Sequence, residues 1–278
     1  MPIAIVFHAL VFFVVLFGLA MWGLRERNIR RYASRFSVPI HGSRKDAKIR
    51  IYLLHGMSST YQQVLSLGNL LCWNLSRKSV TADVILLNYP SHKLSNVVHD
   101  ETTQLFHLVE SPHPHQTTFF CGVSLGGFLA NHLARRFIRV HPEAKDRTAL
   151  ITIASPSGGM PLLSTWWTAK LARLMRGGIT DALVPTHVKR DFASHTPLPP
   201  KRHLAIVANP WFSGPYWFFH GTDDGLVPLS SQKAGADACR EIATHHAAIH
   251  SHPSTYDALY RFVTKTSNHS LDSAIESF

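Results

Sequence analysis

Residues 122–126, GVSLG, have the types and spacing that can present a reactive serine. An apolar strand-like run ends here, over 117–124, and a helix-like run follows over 125–140. In the G-x-S-x-G pattern the serine lies on a sharp strand-to-helix turn, and the small residues around it let neighbouring backbone pass close. The pattern therefore predicts a nucleophilic Ser124 that projects above the carboxyl edge of a sheet. An ordinary glycine turn is the alternative.

A catalytic serine needs a general base, which an acid orients, because the hydroxyl is a weak nucleophile at its ordinary pKa. With the serine on this type of turn, the acid and then the histidine follow it along the chain. Asp223 and Asp224 come just after a strand-like run. We favour Asp224 because Gly-Leu-Val-Pro follows it, which sets its carboxylate at the end of that strand.

The general base has several candidates, because the chain contains 19 histidines. The base should lie in a loop before the final helix, and residues 254–263 have the pattern of that helix. Four histidines precede it, and their positions alone leave the choice open: His245, His246, His250 and His252.

Attack on an acyl carbon creates an oxyanion, which preorganised N–H groups must stabilise. The residue after the nucleophile, Leu125, supplies one backbone N–H. The second is expected from the loop after an early strand, and the segment LLHGMSST, 53–60, has this position. We therefore predict that the N–H of Met57 is the second donor, with Ser58 behind it. A His-Gly turn without a role is the alternative.

Strand-like and helix-like runs alternate after residue 49. Short, almost continuous apolar runs separated by helical patterns predict an α/β fold with a mostly parallel sheet and helices on both faces. The strand-like runs are 49–56, 82–90, 117–124, 149–155 and 216–221, and the helix-like runs are 61–77, 94–110 and 125–140. Between the last two strands, 157–214 contains a helix-like run, 160–178, with Trp166 and Trp167. We interpret it as a lid over the site or as an ordinary packed helix.

The N-terminal residues 3–24 contain no Asp, Glu, Lys or Arg. As a helix they would span ~33 Å, enough for the hydrocarbon core of a bilayer. A cleaved signal peptide is the alternative, but the basic start and the cleavage site that it requires are not evident. We therefore expect a single-pass membrane anchor.

The charge of the chain is concentrated beside this apolar run. Residues 25–50 hold nine Lys or Arg against two acidic residues, or 9 − 2 = +7 of a total of +11. By the positive-inside rule, this block places the rest of the chain on the cytoplasmic side, and it can contact anionic lipid headgroups. A nucleic-acid partner is not expected, because basic and aromatic residues are not interleaved.

These observations predict four segments. They are an anchor at 3–24, a basic juxtamembrane linker at 25–48, a catalytic domain at 49–266 with a lid insertion at about 157–214, and a C-terminal tail at 267–278. The three cysteines are widely spaced and provide neither a disulfide framework nor a zinc-binding spacing.

Several segments together resemble the α/β-hydrolase superfamily over about residues 49–263, and in particular its lipase-like branch, which includes inositol-deacylase-type lipid esterases. The segments are LLHGMSS (53–59), NYPS (88–91), GVSLGG (122–127), IASPSGG (153–159), DDGLVP (223–228) and HHAAIHSHPSTYDAL (245–259). The resemblance implies that Asp224 is the acid. It also implies that His246 is the base. In that branch the histidine is followed by two small residues and an aliphatic one, as His246 is here, and a proline often lies seven residues after the histidine, as Pro253 does. His245 departs from the Gly or Asp that usually precedes that histidine.

The expected function is a membrane-anchored serine hydrolase that cleaves carboxylic esters, with acyl lipids as the favoured substrates and without a metal or cofactor. The triad is Ser124, Asp224 and His246, with Met57 and Leu125 as oxyanion donors. Thioester hydrolysis or acyl transfer to an alcohol by the same triad is the first alternative. A non-catalytic α/β-hydrolase scaffold at the membrane is the second, although such scaffolds usually lose the serine or the acid.

Overall fold

The computed structural model describes residues 34–40, 47–91, 98–164, 179–210, 224 and 226–267, together with scattered helical positions between 12 and 27. In this part of the chain, seven strands form one sheet with the order β1-β3-β2-β4-β5-β6-β7. The edge strand β1 pairs antiparallel with β3, and all other neighbours pair in parallel. The strands are β1 (Phe36–Ile40), β2 (Ile49–Leu54), β3 (Ala82–Asn88), β4 (Thr117–Val123), β5 (Thr148–Ile153), β6 (His203–Ala208) and β7 (Ala238–Ile242).

Helices cover both faces of this sheet, which is why the central strands are buried along their whole length. The helices are α1 (Gln62–Arg77), α2 (Val98–Phe106), α3 (Leu125–Val140), α4 (Ile179–Ala182), α5 (Pro185–Ala193), α6 (Leu229–Lys233) and α7 (Pro253–Ser267). Short 3-10 helices lie at Pro142–Arg147, Pro161–Ser164 and Ile249–Ser251.

The core has one apolar layer on each face of the sheet. On one face, α1 packs through residues at helical spacing such as Leu67, Leu71 and Leu75, and α7 packs beside it through Leu259 and Phe262. On the other face, α3 contributes the largest set of buried residues and α2 and α5 pack around it, through Phe128, Leu133, Phe137, Leu105 and Val188. The layers bury the central parallel strands up to their carboxyl ends, and those ends carry the site.

Most of the predicted elements within the described residues are confirmed. β2, β3, β4 and β5 occupy the first four strand-like runs, and α3 covers the predicted range 125–140. The predicted strand at 216–221 lies outside the described residues, as does most of the helix-like run 160–178. The described start of that run, Pro161–Ser164, is a 3-10 helix.

Three strands of the sheet were not predicted: β1, β6 and β7. β1, Phe36–Ile40, lies within the range 25–48 that we assigned to a juxtamembrane linker, but it pairs antiparallel with β3, so this part of the range belongs to the sheet. β6, His203–Ala208, lies within the range 157–214 that we assigned to a lid insertion, and it is fully buried between β5 and β7. The end of that range is therefore part of the sheet. β7 was missed because it is an edge strand, and two charged residues, Arg240 and Glu241, interrupt its apolar pattern.

No helix in the described part of the chain is long and apolar enough to cross a membrane. The expected anchor at 3–24 lies mostly outside the described residues.

Two buried histidines are held neutral by the fold. Burial lowers the pKa of His55 and that of His203 to about 4 each. The His203 ring lies between the Thr152 hydroxyl, at 3.0 Å from Nε2, and the Gly235 carbonyl, at 2.9 Å from Nδ1. Because the pKa values in the unfolded chain are about 6.5, the unfolded chain binds more protons than the folded one between pH 6.5 and 4.

We therefore expect the free energy of unfolding to fall as the pH is lowered from 7 to 5, by about 2 kcal/mol for each of these histidines. Urea unfolding at several pH values measures this slope. The slope of the unfolding free energy against pH reports how many protons are taken up on unfolding. His203→Gln should reduce this number by about one, whereas replacement of the exposed His107 by Gln should not change it. An unchanged slope in His203→Gln would contradict the assignment.

Candidate active site

The turn between β4 and α3 presents Ser124 at the carboxyl edge of the sheet. Ser124 has φ of 54°, in a region that non-glycine residues seldom adopt and that often marks functional turns. Its N–H donates a hydrogen bond to the Ile153 carbonyl at 2.7 Å, and its carbonyl accepts one from the Gly127 N–H at 2.9 Å. Hydrogen bonds to β5 and to the first turn of α3 therefore hold the backbone of Ser124 in this conformation.

The glycines on either side of Ser124 are required by close backbone contacts. A Cβ on Gly122 would overlap the carbonyl group of Gly126. A Cβ on Gly126 would overlap the carbonyl oxygens of Leu54 and His55, at the end of the neighbouring strand β2. The sharp turn is possible because neither residue has a side chain.

Gly126→Ala should therefore destabilise the protein by about 3 kcal/mol and displace the turn, because the new methyl group meets backbone that cannot rotate away. Gly68→Ala in α1 is the matched control. There a Cβ meets only the side-chain ends of Ile40, Leu53 and Leu86, which can move, so the loss should stay below about 1.5 kcal/mol. Urea unfolding of the two variants measures the difference, and equal losses would contradict this explanation.

The structure brings Ser124, His246 and Asp224 into one hydrogen-bonded series. His246 Nε2 lies 2.9 Å from Ser124 Oγ. His246 Nδ1 lies 2.6 Å from Asp224 Oδ2. The imidazole therefore has one nitrogen on the hydroxyl and the other on the carboxylate, the arrangement in which it can accept the serine proton while the acid holds its orientation.

Backbone hydrogen bonds fix the acid and the histidine relative to each other. Asp224 is 1% exposed, and its Oδ1 accepts hydrogen bonds from the N–H groups of Leu226, at 3.0 Å, and Val227, at 2.7 Å. The His246 N–H donates to the Asp224 carbonyl at 3.0 Å. The loop after β7 is thus tied to the loop before α6, and Asp224 Oδ2 is left to His246.

The other candidate histidines have different positions. His250 lines the same cleft, and burial lowers its pKa. His252 Nδ1 accepts a hydrogen bond from the Ser254 N–H, at the start of α7. The His245 carbonyl accepts a hydrogen bond from the Ala248 N–H within the loop. Among the described residues, His246 is the histidine whose ring contacts Ser124.

The two predicted oxyanion donors both lie beside Ser124. Met57 and Leu125 line its cleft, and neither N–H has a hydrogen-bond acceptor within the described ranges. The Gly56 carbonyl lies 2.9 Å from His55 Nδ1. Because the Gly56–Met57 peptide is trans, the Met57 N–H points away from the His55 ring.

His55 itself is locked in place, which keeps this peptide oriented. Its Nε2 accepts a hydrogen bond from the Tyr89 N–H at 3.3 Å, so Nδ1 carries the proton that is donated to the Gly56 carbonyl. The Tyr89 ring stacks on it with centroids 4.2 Å apart, and the Tyr89 hydroxyl donates to the His55 carbonyl at 2.5 Å. The Gly56 N–H donates to Gln63 Oε1 at 2.6 Å. Sequence reasoning identified the segment but not its contacts with Tyr89, which directly follows β3, and with Gln63 of α1.

Ser124 opens into a cleft of about 700 Å³. The side chains around it are mostly apolar, and several of them were not predicted: Pro156, Met160, Leu183, Leu226 and Val227. Met160 and Leu183 come from described parts of the range 157–214, while Trp166 and Trp167 lie outside the described residues. The cleft can therefore accommodate an apolar group next to the serine hydroxyl.

Comparisons with known proteins give similarities at the level of the fold. A model of an uncharacterised protein family, UPF0227, matches residues 73–141, which include Ser124. Among curated proteins, none has a significantly similar sequence.

Among the many solved structures that resemble this one are a lipase, a phospholipase and a carboxyl esterase. Lipase BlEst2 from Bacillus licheniformis is 15% identical, with 78% of this chain and 93% of that chain covered and a TM-score of 0.51. Phospholipase PlaB from Legionella pneumophila is 13% identical, with 82% and 62% covered and a TM-score of 0.62. The metagenomic carboxyl esterase MGS0156 is 14% identical, with 82% and 77% covered and a TM-score of 0.53. At these identities the similarity shows the fold, and the chain has the α/β-hydrolase fold that its motifs predicted.

Proposed function

We propose that this chain is a serine hydrolase that cleaves carboxylic esters through an acyl-enzyme intermediate. The observation that carries the proposal is the pair of contacts of His246, at 2.9 Å from the Ser124 hydroxyl and at 2.6 Å from the Asp224 carboxylate. A non-catalytic scaffold would have no need to keep this series aligned across three separate loops.

In the proposed reaction, Ser124 Oγ attacks the ester carbonyl carbon while its proton passes to His246 Nε2. Asp224 stabilises the imidazolium that forms and keeps its Nδ1–H oriented. The tetrahedral intermediate collapses, the imidazolium donates its proton to the leaving alcohol, and the acyl group remains on Ser124. Water, deprotonated by His246, then attacks the acyl carbon. As the bond to Ser124 breaks and the acid is released, the imidazolium returns its proton to Ser124 Oγ.

The negative charge of the tetrahedral intermediate needs donors that are already in place. We assign this role to the N–H groups of Met57 and Leu125, which both line the cleft that holds Ser124. Leu125 begins α3, so the positive end of the helix dipole adds to the stabilisation.

The substrate class that we favour is acyl lipids. The apolar lining of the cleft suits an acyl chain, and two of the similar structures are described as a lipase and a phospholipase. An N-terminal anchor at 3–24 followed by the basic segment would hold the cleft at a membrane surface on the cytoplasmic side, and this placement is part of the proposal. Thioesters and acyl transfer remain the alternatives, because the same three residues serve both reactions.

A fluorophosphonate probe tests the proposal directly, since it reacts with an activated serine and releases fluoride. We expect one label per chain, located by mass spectrometry on the peptide that contains Ser124, and no label on heat-denatured protein. A folded protein that is not labelled, or is labelled elsewhere, would contradict the proposal. Product analysis with a long-chain ester in the presence of a competing alcohol then separates hydrolysis from acyl transfer.

A further inference from the structure

Three side chains with metal-binding atoms converge away from the Ser124 cleft. They are His132 from the middle of α3, Asp191 near the end of α5, and His195 just after α5. Each offers one ligand atom, and these atoms all lie within 4.8 Å of one another. None of the three lines the cleft at Ser124, so the cluster is separate from the proposed catalytic residues.

The spacing of the atoms suits a tetrahedral ion. His132 Nε2 lies 3.3 Å from Asp191 Oδ2. Two ligands on a tetrahedral zinc ion are also about 3.3 Å apart, because zinc bonds to nitrogen and oxygen are about 2.0–2.2 Å long. An ion could therefore join these two atoms without moving them apart.

One ring nitrogen of His195 is committed to the backbone, which leaves the other for a third bond. Its Nδ1 lies 2.6 Å from the Asp191 backbone carbonyl, so this nitrogen carries the proton of the neutral ring. The lone pair is then on Nε2. Metal-binding histidines commonly donate their other N–H to a backbone carbonyl in this way, which fixes the ring and increases its basicity.

The surroundings hold the cluster and still leave it open to solvent. The His132 side chain is 3% exposed and packs between Phe128 and Phe192, with ring centroids 4.8 Å and 4.9 Å away. The Asp191 side chain is 42% exposed and that of His195 is 19% exposed. An ion can thus enter from solvent, and water can complete its coordination.

The charged groups at and near the cluster are one carboxylate and one guanidinium. Arg135 on α3 lies close by but points elsewhere, with hydrogen bonds to Asn131 Oδ1 and the Thr196 carbonyl and its guanidinium over the Phe192 ring. Asp191 is the one carboxylate of the cluster, and it faces two imidazoles that are neutral when they bind a metal.

We propose that His132, Asp191 and His195 bind a divalent transition metal ion, with zinc as the best fit, and that this ion fastens α5 to α3. Two imidazoles and a carboxylate with an open fourth position form a set that binds zinc well. The ion would hold α5 and His195 against α3, the helix whose first residue follows Ser124. Sequence analysis predicted no metal, because the cysteines have no zinc-binding spacing and the triad needs no metal, and it did not consider these three residues together.

Metal binding to the full-length, tag-free protein tests this proposal. After treatment with EDTA, we expect one equivalent of zinc to bind and to raise the melting temperature by about 5 °C or more at a free concentration 100-fold above Kd. Cobalt should give the visible absorption of a tetrahedral site. The variants Asp191→Asn and His195→Gln should lose the zinc-dependent shift and the cobalt spectrum.

The matched control is His187→Gln. His187 lies on the same helix, and its Nδ1 contacts the Asp181 carbonyl at 2.7 Å, outside the cluster. This variant should bind zinc like the wild type. Equal zinc binding by the wild type and all three variants would show non-specific binding to histidines. The absence of a zinc-dependent shift in the wild type would show that the cluster is an ion pair only. Either result would overturn the proposal. Circular dichroism of the metal-free variants confirms their fold, so a loss of binding cannot come from unfolding.

Discussion

Ser124→Ala should lower kcat for ester hydrolysis by about 10⁵–10⁶-fold and leave KM nearly unchanged. Without the hydroxyl no acyl-enzyme can form, and the remaining rate comes from water attack on a substrate that is still bound beside the oxyanion donors. Alanine keeps the backbone turn, because a serine in the same conformation also has a Cβ. Steady-state kinetics with a chromogenic ester measures the change.

Ser164→Ala is the control, because Ser164 is an exposed serine in the 3-10 helix that follows the cleft residue Met160. It should keep the wild-type kcat. If Ser124→Ala retained more than about one hundredth of the activity while folded, a different nucleophile would carry the reaction, and the triad would be wrong.

Asp224→Asn should lower kcat by about 10⁴-fold. The carboxylate accepts the Nδ1–H of His246, whereas an amide nitrogen at this place donates to Nδ1 and forces the proton onto Nε2. That nitrogen then faces Ser124 with a proton and cannot accept another. The amide oxygen can still accept the N–H groups of Leu226 and Val227, so the loop should keep its fold. Kinetics and thermal unfolding of the variant separate the two effects.

The matched control is Asp237→Asn. Asp237 Oδ2 also accepts two backbone N–H groups, those of Arg202 and His203, but it lies away from the cleft. Its replacement by Asn should leave kcat nearly unchanged. If both variants lost activity equally, the effect of Asp224→Asn would come from the loss of a structural carboxylate and not from the orientation of His246.

The regular elements around the serine could be predicted because their signals are local. Apolar runs specify β2, β3 and β4, and the buried pattern of α3 agrees with the predicted range 125–140. β6 was missed because a Pro-rich segment precedes it, and its six residues acquire their strand partners only from β5 and β7. A short apolar run forms a strand only where other strands lie beside it and pair with its backbone, and the run itself does not show whether they do.

The sequence by itself determined the turn at Ser124, because the two glycines and the apolar runs that flank them are local signals. The glycines are needed where the backbone passes close to itself and to the end of the adjacent strand. It also limited the acid to two residues and the base to four. The family resemblance then favoured Asp224 and His246. Only the tertiary structure shows how these two residues meet, because the hydrogen bond between the His246 N–H and the Asp224 carbonyl brings together two loops that are distant along the chain. The cluster of His132, Asp191 and His195 depends in the same way on the packing of α5 against α3, and no spacing along the chain encodes a contact between two helices.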